Sequence, residues 1–127
     1  MAVVGIEEIT LKVKDMEKAL AFYHGILGIP LDKQDGERIY LQMERGHLVF
    51  QIEKNTGRHQ GAGPLHFAMT VSEEEFEKIL GKFEVDRIFT RGPYGEMWKG
   101  RSLFMIDPDG NEAEINSRYL YGVPQRQ

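Results

Sequence analysis

The sequence predicts an α+β fold in which two βαβββ modules, approximately residues 5–53 and 64–117, form a curved mixed sheet within one domain, residues 1–127. Two observations predict it. An alternating strand, a helical stretch and three short strands occur twice along the chain in the same order. The two halves also align with each other when Glu8 is placed on His66 and Gln51 on Glu114. Self-similarity at this length indicates a duplicated half-domain rather than a short solenoid repeat.

In the first module, residues 5–13 alternate between apolar and polar side chains, which predicts a half-buried strand. Asp15 is placed to cap a helix, and apolar residues then recur at helical spacing as far as Leu27. Gly28 suits the position just after a helix. Short strands with glycine-containing turns between them are expected near 30–34, 37–43 and 47–53.

The second module repeats this order after a glycine-rich stretch. Residues 65–71 alternate as a strand, and Ser72 followed by Glu75 forms a capping box for a helix. An apolar stripe from Phe76 to Phe83 gives that helix a buried face. Strands are expected near 84–90, 101–106 and 111–117, with a glycine-bearing loop over 91–100.

Composition limits the classes of function. The 127 residues are 41% hydrophobic and 28% charged, as in a soluble domain, and contain no cysteine, which excludes disulfides, a thiolate zinc site and a cysteine nucleophile. A net charge of -4 argues against nucleic acid as a partner. The longest stretch without a charged residue, 59–72, is shorter than the ~20 residues of a membrane span. We expect a cytoplasmic protein without a membrane partner.

Strand parity brings four polar side chains to one face of the predicted sheet. If the two halves close into one curved sheet, its concave side carries Glu8, Gln51, His66 and Glu114. Carboxylates there must stay hydrated or hold a cation, because burying them unpaired is costly. One imidazole, two carboxylates and an amide oxygen suit Mn, Ni, Co, Fe or Zn, and such a metal can act as a Lewis acid. The alternative is a solvated Glu8 near a sheet edge and a His66 that only hydrogen-bonds.

Further side chains are candidates for contacting a substrate. They lie beside the four polar residues or border the 91–100 loop: Thr10, Arg38, Tyr40, Trp98, Arg101, Ser102 and Phe104. For the residues at the loop, an exposed turn with extended basic side chains is the competing interpretation.

Two segments resemble the signatures of a known family. Residues 8–15 with 19–28 (ALAFYHGILG) resemble the opening, and residues 102–115 (SLFMIDPDGNEAEI) the closing signature, of the vicinal oxygen chelate superfamily. That superfamily includes glyoxalase I, methylmalonyl-CoA epimerase, bleomycin and fosfomycin resistance proteins, and extradiol dioxygenases. The resemblance implies the glyoxalase/bleomycin resistance/dihydroxybiphenyl dioxygenase-like fold, with metal ligands on the first and last strand of each module.

Carried over by position, the resemblance implies metal ligands at Glu8, Gln51, His66 and Glu114. His66 and Glu114 match the usual types, and a glutamine at Gln51 resembles methylmalonyl-CoA epimerase. Glu8 departs from the histidine found there in many members, which argues against the dioxygenase and fosfomycin resistance classes. The residues after Glu114 also lack the His and Gly that those resistance proteins tend to show.

The resemblance therefore implies a glyoxalase-family enzyme that depends on a divalent metal. Lyase or isomerase chemistry on a small chelated oxygenated substrate is expected first, with transferase chemistry also open, and Glu114 or Glu8 could double as the base. The alternative is a metal-free protein of the bleomycin resistance type that sequesters a drug-like molecule. A homodimer is expected in either case.

Overall fold

A computed structural model describes residue 3, residues 5–52, 65–97 and 99–117, and the backbone of 119–120 and 123–124. The chain divides into two compact units, Met1–Gly61 and Ala62–Gln127. Each unit contains one four-stranded sheet with parallel and antiparallel pairs, which confirms the α+β class with two strand-rich modules. No helix within the described residues is long and apolar enough to cross a membrane.

The first unit, unit 1, carries its strands in the order β1-β4-β3-β2. Its elements are β1 (Glu8–Val13), α1 (Met16–Leu20) with a π-helical continuation (Ala21–Ile26), β2 (Leu31–Asp35), β3 (Arg38–Gln42) and β4 (His47–Ile52). The first and last strands, β1 and β4, are parallel neighbours, whereas β3 pairs antiparallel with both β4 and β2.

The helix of unit 1 begins and packs as its sequence predicts. The Asp15 side chain accepts a hydrogen bond from the Lys18 backbone N–H at 3.1 Å, which satisfies one free donor of the first turn. Tyr23 is fully buried and its ring centroid lies 5.3 Å from that of Phe50 on β4. The helix therefore covers the sheet face that carries Phe50, and the opposite face remains for polar side chains.

The second unit, unit 2, repeats the strand order as β5-β8-β7-β6. Its elements are β5 (His66–Thr70), α2 (Glu73–Asp86), β6 (Thr90–Glu96), β7 (Gly100–Ile106) and β8 (Glu112–Asn116), followed by a short antiparallel pair, β9 (Tyr119–Leu120) and β10 (Val123–Pro124). Again the first and last of the four sheet strands, β5 and β8, are parallel neighbours.

Helix α2 begins at its predicted cap and ends later than expected. The Ser72 hydroxyl accepts a hydrogen bond from the Glu75 backbone N–H at 3.2 Å. The helix then runs to Asp86 and ends at Arg87, whose φ of 56° is left-handed. The predicted strand over 84–90 is therefore wrong, because helical hydrogen bonding continues past the last buried apolar residue, Phe83.

The predicted loop over 91–100 is also corrected, since β6 occupies most of it. Its glycines and Pro93 indicate a turn, but they lie on an edge strand. The pairing with β7 shifts register between Arg91 and Tyr94, so the segment that contains Pro93 lies in a bulge. Proline and glycine are tolerated at sheet edges and bulges.

Candidate metal and substrate site

The polar face of unit 2 is the sheet face opposite α2. Cross-strand partners lie on the same face of a sheet. The register pairs His66 with Glu112, and Glu114 with both Ala68 and Phe104. His66, Glu114 and Phe104 therefore share one face. Leu103, whose side chain alternates to the other face, is fully buried.

His66 has a carboxylate at each ring nitrogen. Its Nδ1 lies 2.8 Å from Glu112 Oε1, which is hydrogen-bonding distance, and its Nε2 lies 3.6 Å from Glu114 Oε1, which is too long for a hydrogen bond. The side chain of Glu114 is 16% exposed, against 51% for His66. One imidazole nitrogen thus lies in close contact with a carboxylate, and the other faces a second carboxylate at a longer distance.

The two carboxylates are oriented by further polar contacts. Arg91 Nη2 donates to Glu112 Oε2 at 2.6 Å, and this contact is the main reason that the pKa of Glu112 lies below its ordinary value. Asn116 Nδ2 donates to Glu114 Oε2 at 3.3 Å, and the Asn116 side-chain oxygen accepts from the Thr70 hydroxyl at 3.1 Å. Both glutamates are therefore held by side chains of the same unit.

Aromatic contacts complete this face around Phe104. The His66 ring stacks on the Phe104 ring at 6.2 Å and 23°, and the Tyr94 ring lies 6.1 Å away. The Arg91 guanidinium lies 4.7 Å from the Phe104 centroid, within the range of a cation–π contact. Imidazole, carboxylate and aromatic surfaces thus lie side by side.

The turn between β7 and β8 sets the position of His66. Asp107 Oδ1 accepts from the backbone N–H groups of Asp109 and Asn111 at 2.9 and 2.8 Å, as expected of an Asx turn. The Asn111 side-chain oxygen accepts from the Leu65 backbone N–H at 2.9 Å. The residue before His66 is therefore fixed to the turn that leads into Glu112 and Glu114.

Two predicted substrate contacts of unit 2, Arg101 and Ser102, are buried. Arg101 lies on the helix-facing side of β7, where it pairs with Glu73 and Glu77 and covers the Phe76 ring at 4.4 Å. Its side chain is 8% exposed, so the structure gives it a role in attaching α2 to the sheet instead of a substrate contact. Ser102 does lie on the polar face, but it is buried.

Glu8, Thr10 and Arg38 form a second polar cluster on the polar face of unit 1, the face opposite Tyr23. The Thr10 hydroxyl donates to Glu8 Oε2 at 2.6 Å, and Arg38 Nη2 donates to the same oxygen at 3.1 Å. The Thr10 hydroxyl accepts from Arg38 Nη2 at 3.2 Å. The hydrogen bond from Thr10, followed by the Arg38 charge, lowers the pKa of Glu8.

Tyr40 lies beside this cluster between cationic groups. Lys33 Nζ lies 4.8 Å and the Arg38 guanidinium carbon 5.4 Å from the centre of its ring. The His47 ring meets Tyr40 edge-on at 5.8 Å, and His47 Nε2 lies 3.1 Å from Asp32 Oδ2. Of the predicted unit 1 contacts, Thr10, Arg38 and Tyr40 are thus brought together with Glu8.

Gln51 shares the polar face of unit 1, but it is not the counterpart of Glu114. Glu114 pairs with Ala68, the third residue of β5, whereas the residue paired with the third residue of β1 is Val49. Gln51 instead matches Asn116, since each pairs with the fifth residue of the first strand. The sequence alignment of the two halves was therefore two residues out of register in β4.

The donors of unit 2 fit a divalent metal better than those of unit 1. Two donors that each lie about 2.0–2.2 Å from one ion are roughly 3–3.5 Å apart, close to the 3.6 Å between His66 Nε2 and Glu114 Oε1. In unit 1, the Glu8 carboxylate is already engaged by Arg38 and Thr10. Within residues 5–52, 65–97 and 99–117, no three His, Asp or Glu side chains are already clustered as a metal site.

Sequence reasoning missed several side chains of these faces and included one that cannot be placed. Glu112, Arg91, Asn116 and Tyr94 were not among the predicted site residues. Glu112 could have been found, because it is two residues before Glu114 and so lies on the same face of the strand. Arg91 and Tyr94 were hidden in a segment taken for a loop. Trp98 lies outside the described residues.

The family of the chain follows from comparison with known proteins. The profile of the Glyoxalase/Bleomycin resistance protein/Dioxygenase superfamily matches residues 5–115, which include both sheets and both polar faces. The chain belongs to this superfamily. The resemblance of the opening and closing segments is confirmed.

Similar proteins of the superfamily include enzymes. The chain is 28% identical over 122 residues to the metallothiol transferase FosB of Lysinibacillus sphaericus, covering 94% of this chain and 86% of that protein. It is 28% identical over 120 residues to the glutathione transferase FosA of Serratia marcescens, covering 87% and 79%. A glyoxalase/dioxygenase structure from Nostoc punctiforme superposes with a TM-score of 0.75 at 21% identity, covering 89% and 90%, and supports the fold alone.

Proposed function

We propose that this chain is a divalent-metal-dependent enzyme acting on a small oxygenated molecule, with His66 and Glu114 as metal ligands on unit 2. Glu8, on the polar face of unit 1, stays a candidate ligand because the family resemblance implies it. The observation that carries this proposal is the 3.6 Å separation of His66 Nε2 and Glu114 Oε1 on one face of two parallel strands. Nitrogen and oxygen donors of these types suit Mn, Ni, Co, Fe or Zn.

In this proposal the bound metal supplies Lewis-acid stabilisation of charge on substrate oxygens. The side chains of the protein hold the metal and orient the substrate. Asn116 donates to one oxygen of Glu114, which leaves the oxygen near His66 for the metal. Phe104 and Tyr94 offer an apolar surface beside His66. On the polar face of unit 1, Lys33 and Arg38 place positive charge beside the Tyr40 ring.

We favour thiol transfer over the lyase or isomerase chemistry expected from the sequence. The support is that the FosB and FosA relatives are named as thiol transferases. With an epoxide as electrophile, a sulfur–carbon bond forms while one carbon–oxygen bond breaks. The thiol proton ends on the released oxygen, giving a hydroxy thioether.

Metal binding is tested on protein made without a histidine tag, stripped with a chelator and titrated separately with Mn, Ni, Co, Fe and Zn ions. We expect about one ion per chain in the wild type, and loss of binding in His66→Ala and Glu114→Ala. His24→Ala is the matched control, because this imidazole is on the helix of unit 1 and its Nδ1 contacts the Ile29 carbonyl at 2.7 Å. Wild type that takes up none of these ions would contradict the proposal.

The reaction is tested by incubating metal-loaded protein with glutathione or cysteine and a simple epoxide, and following loss of free thiol. A parallel incubation with the hemithioacetal of glutathione and methylglyoxal tests lyase chemistry. Thiol loss that disappears in Glu114→Ala supports the transferase. Turnover of the hemithioacetal alone would replace it with a lyase.

A metal-free binding protein is the second candidate, and the Arg38–Glu8 ion pair favours it. With its charge matched by Arg38 at 3.1 Å, Glu8 needs no cation on the polar face of unit 1. This candidate predicts that chelator-treated protein binds a bulky drug-like molecule, such as bleomycin, as tightly as untreated protein does.

The expected homodimer stays a prediction, which light scattering on the purified chain checks.

A further inference from the structure

A closed ring of contacts joins four side chains on the polar face of unit 2: His66, Glu112, Arg91 and Phe104. His66 Nδ1 lies 2.8 Å from Glu112 Oε1, and Glu112 Oε2 accepts from Arg91 Nη2 at 2.6 Å. The Arg91 guanidinium lies over the Phe104 ring at 4.7 Å, and Phe104 stacks on the imidazole at 6.2 Å. The imidazole is therefore restrained at one nitrogen and on one ring face.

These contacts indicate which nitrogen of the His66 imidazole carries the proton. A carboxylate is an acceptor only, so the 2.8 Å contact with Glu112 favours the tautomer in which the neighbouring nitrogen, Nδ1, carries hydrogen. In a neutral imidazole the other nitrogen then has a free lone pair. That nitrogen, Nε2, is the one that faces Glu114 without a hydrogen bond.

Unit 1 shows that strand pairing alone does not create such a contact. Glu8 of β1 pairs with His47 of β4 at the same register position at which His66 of β5 pairs with Glu112 of β8. Unit 1 thus has glutamate on its first strand and histidine on its last strand, the reverse of unit 2. There, however, Glu8 is bonded to Thr10 and Arg38, and His47 to Asp32. The contact in unit 2 thus depends on how Glu112 is held, and Arg91 holds it.

We propose that Glu112, anchored by Arg91, is a positioning residue that fixes His66 as the Nδ1–H tautomer and presents Nε2 to a bound metal ion. The inference rests on the proposed function for the identity of His66 as a ligand. Hydrogen bonding of a ligand imidazole to an outer carboxylate fixes its tautomer and ring orientation and raises its basicity.

The first test needs no metal. Long-range proton–nitrogen NMR spectra of chelator-treated, nitrogen-15-labelled protein, recorded where the imidazole is neutral, identify the protonated ring nitrogen of His66. We expect Nδ1–H in the wild type, and a shift towards Nε2–H in Glu112→Ala and Arg91→Met. Glu112→Gln retains an acceptor oxygen and is expected to keep more of the Nδ1–H form. A wild-type His66 protonated at Nε2 overturns the inference.

The second test measures metal affinity by titrating Mn²⁺ into the same proteins. Loss of an outer-shell partner typically reduces metal affinity by about 10–100-fold, which is the effect expected for Glu112→Ala. Glu75→Ala is the matched control, since it removes an exposed carboxylate that pairs with Lys78 on α2. An unchanged tautomer together with an affinity within about twofold of the wild type would contradict the role of Glu112.

The two tests separate this inference from the proposed function. If the wild type binds no metal but His66 changes tautomer in Glu112→Ala, the metal-dependent function fails, while control of the His66 tautomer by Glu112 holds. If metal binds and the tautomer does not respond to Glu112, the function holds and the positioning role fails. Proton–nitrogen correlation spectra of each variant verify that unit 2 is folded.

Discussion

Val49 takes in β4 the position that Glu114 takes in β8. Each pairs with the third residue of a parallel first strand, Thr10 in unit 1 and Ala68 in unit 2. Val49 is fully buried, whereas Glu114 is partly exposed beside His66. The last strand of unit 1 therefore carries no carboxylate at this position, and the neighbouring polar side chains on the same face, His47 and Gln51, each lie two residues away along the strand.

This relationship predicts unequal roles for Glu114 and Gln51. We expect Glu114→Ala to weaken Mn²⁺ binding by more than about a hundredfold, beyond the usual effect of losing an outer partner. Gln51→Ala should change the affinity by less than about threefold, because Gln51 corresponds to Asn116 rather than to a ligand position. Titration calorimetry on chelator-treated protein measures both, and equal losses would contradict the assignment.

Removing Arg38 should strengthen metal binding if Glu8 is a ligand. Arg38 competes for the same Glu8 oxygen through a 3.1 Å contact. Arg38→Met keeps most of the side-chain length and should raise Mn²⁺ affinity roughly two- to fivefold, an effect of the size of a surface ion pair. Lys33→Met serves as the control, because it removes a nearby positive charge that contacts Tyr40 instead. A weaker affinity in Arg38→Met would count against Glu8 as a ligand.

The Arg101–Glu73 pair should contribute strongly to the stability of unit 2. Both side chains are less than one-tenth exposed, at 8% and 4%. Arg101→Met leaves a buried carboxylate without its partner and should lower the free energy of unfolding by about 3–5 kcal/mol in urea titrations. The double variant Arg101→Met/Glu73→Gln should recover much of this loss, because no charge is then left unpaired.

The matched control for this prediction is the exposed pair between Lys99 and Glu96. Its nitrogen and oxygen lie 2.9 Å apart, but the side chains are 75% and 73% exposed. Lys99→Met should therefore cost less than about 1 kcal/mol. If Arg101→Met costs no more than Lys99→Met, the buried pair does not attach α2 to the sheet.

Acid should weaken the fold through Glu8 and Glu112. The pKa of each carboxyl is lowered in the folded protein, for Glu8 mainly by the Thr10 hydroxyl and for Glu112 mainly by Arg91. The folded state thus binds fewer protons than the unfolded state around their ordinary value of 4.5. The stabilisation is fully present above that value and is lost as the pH falls through the lowered pKa values.

Urea unfolding of chelator-treated protein between about pH 7 and pH 3.5 tests this dependence. The variant Glu8→Gln/Glu112→Gln should show a shallower loss of stability below about pH 4.5 than the wild type. Glu75→Gln, which removes an exposed carboxylate on α2, is the comparison variant for a change of net charge. Identical slopes in wild type and double variant would refute the linkage.

Two glycines of unit 2 should respond to alanine in opposite directions. Gly95 in β6 has a φ of +92°, and a Cβ there would collide with the Gly100 carbonyl oxygen of β7. Gly95→Ala should lower stability by about 1–3 kcal/mol. Gly81, inside α2, has open space where the methyl group of an alanine would lie, so Gly81→Ala should raise stability by about 0.5–1 kcal/mol. Thermal unfolding of the two variants checks both signs.

Local sequence signals predicted the elements that depend on neighbouring residues. Asp15 and Ser72 cap their helices as expected, and the alternation in β1 and β5 assigns Glu8 and His66 to the polar faces. These features are determined by hydrogen bonds and side-chain periods within a few residues. The same reasoning placed Glu114 on a polar face.

The errors arose where partners are distant in sequence. Arg101 has the parity of the helix-facing side, but only the contacts with Glu73 and Glu77 show what its charge does there. The register of β4 against β1, and so the correspondence of Val49 with Glu114, depends on strand pairing that the sequence pattern does not specify. Arg91 was missed because the glycine and proline residues that follow it indicate a turn, whereas the structure places them in an edge strand that contains a bulge.

Because β5 and β8 pair in parallel, the metal content of the protein would also measure its folding. His66 begins the first strand and Glu114 lies in the last strand of the four-stranded sheet of unit 2, so a chain emerging from the ribosome presents the imidazole before the carboxylate. Pairing strands that are distant in sequence carries a loop-closure cost, which makes such pairing slower than local contacts. If the two side chains share an ion, a chain that ends before Glu114 lacks one ligand, and metal stoichiometry reports the fraction of molecules in which β5 and β8 have paired.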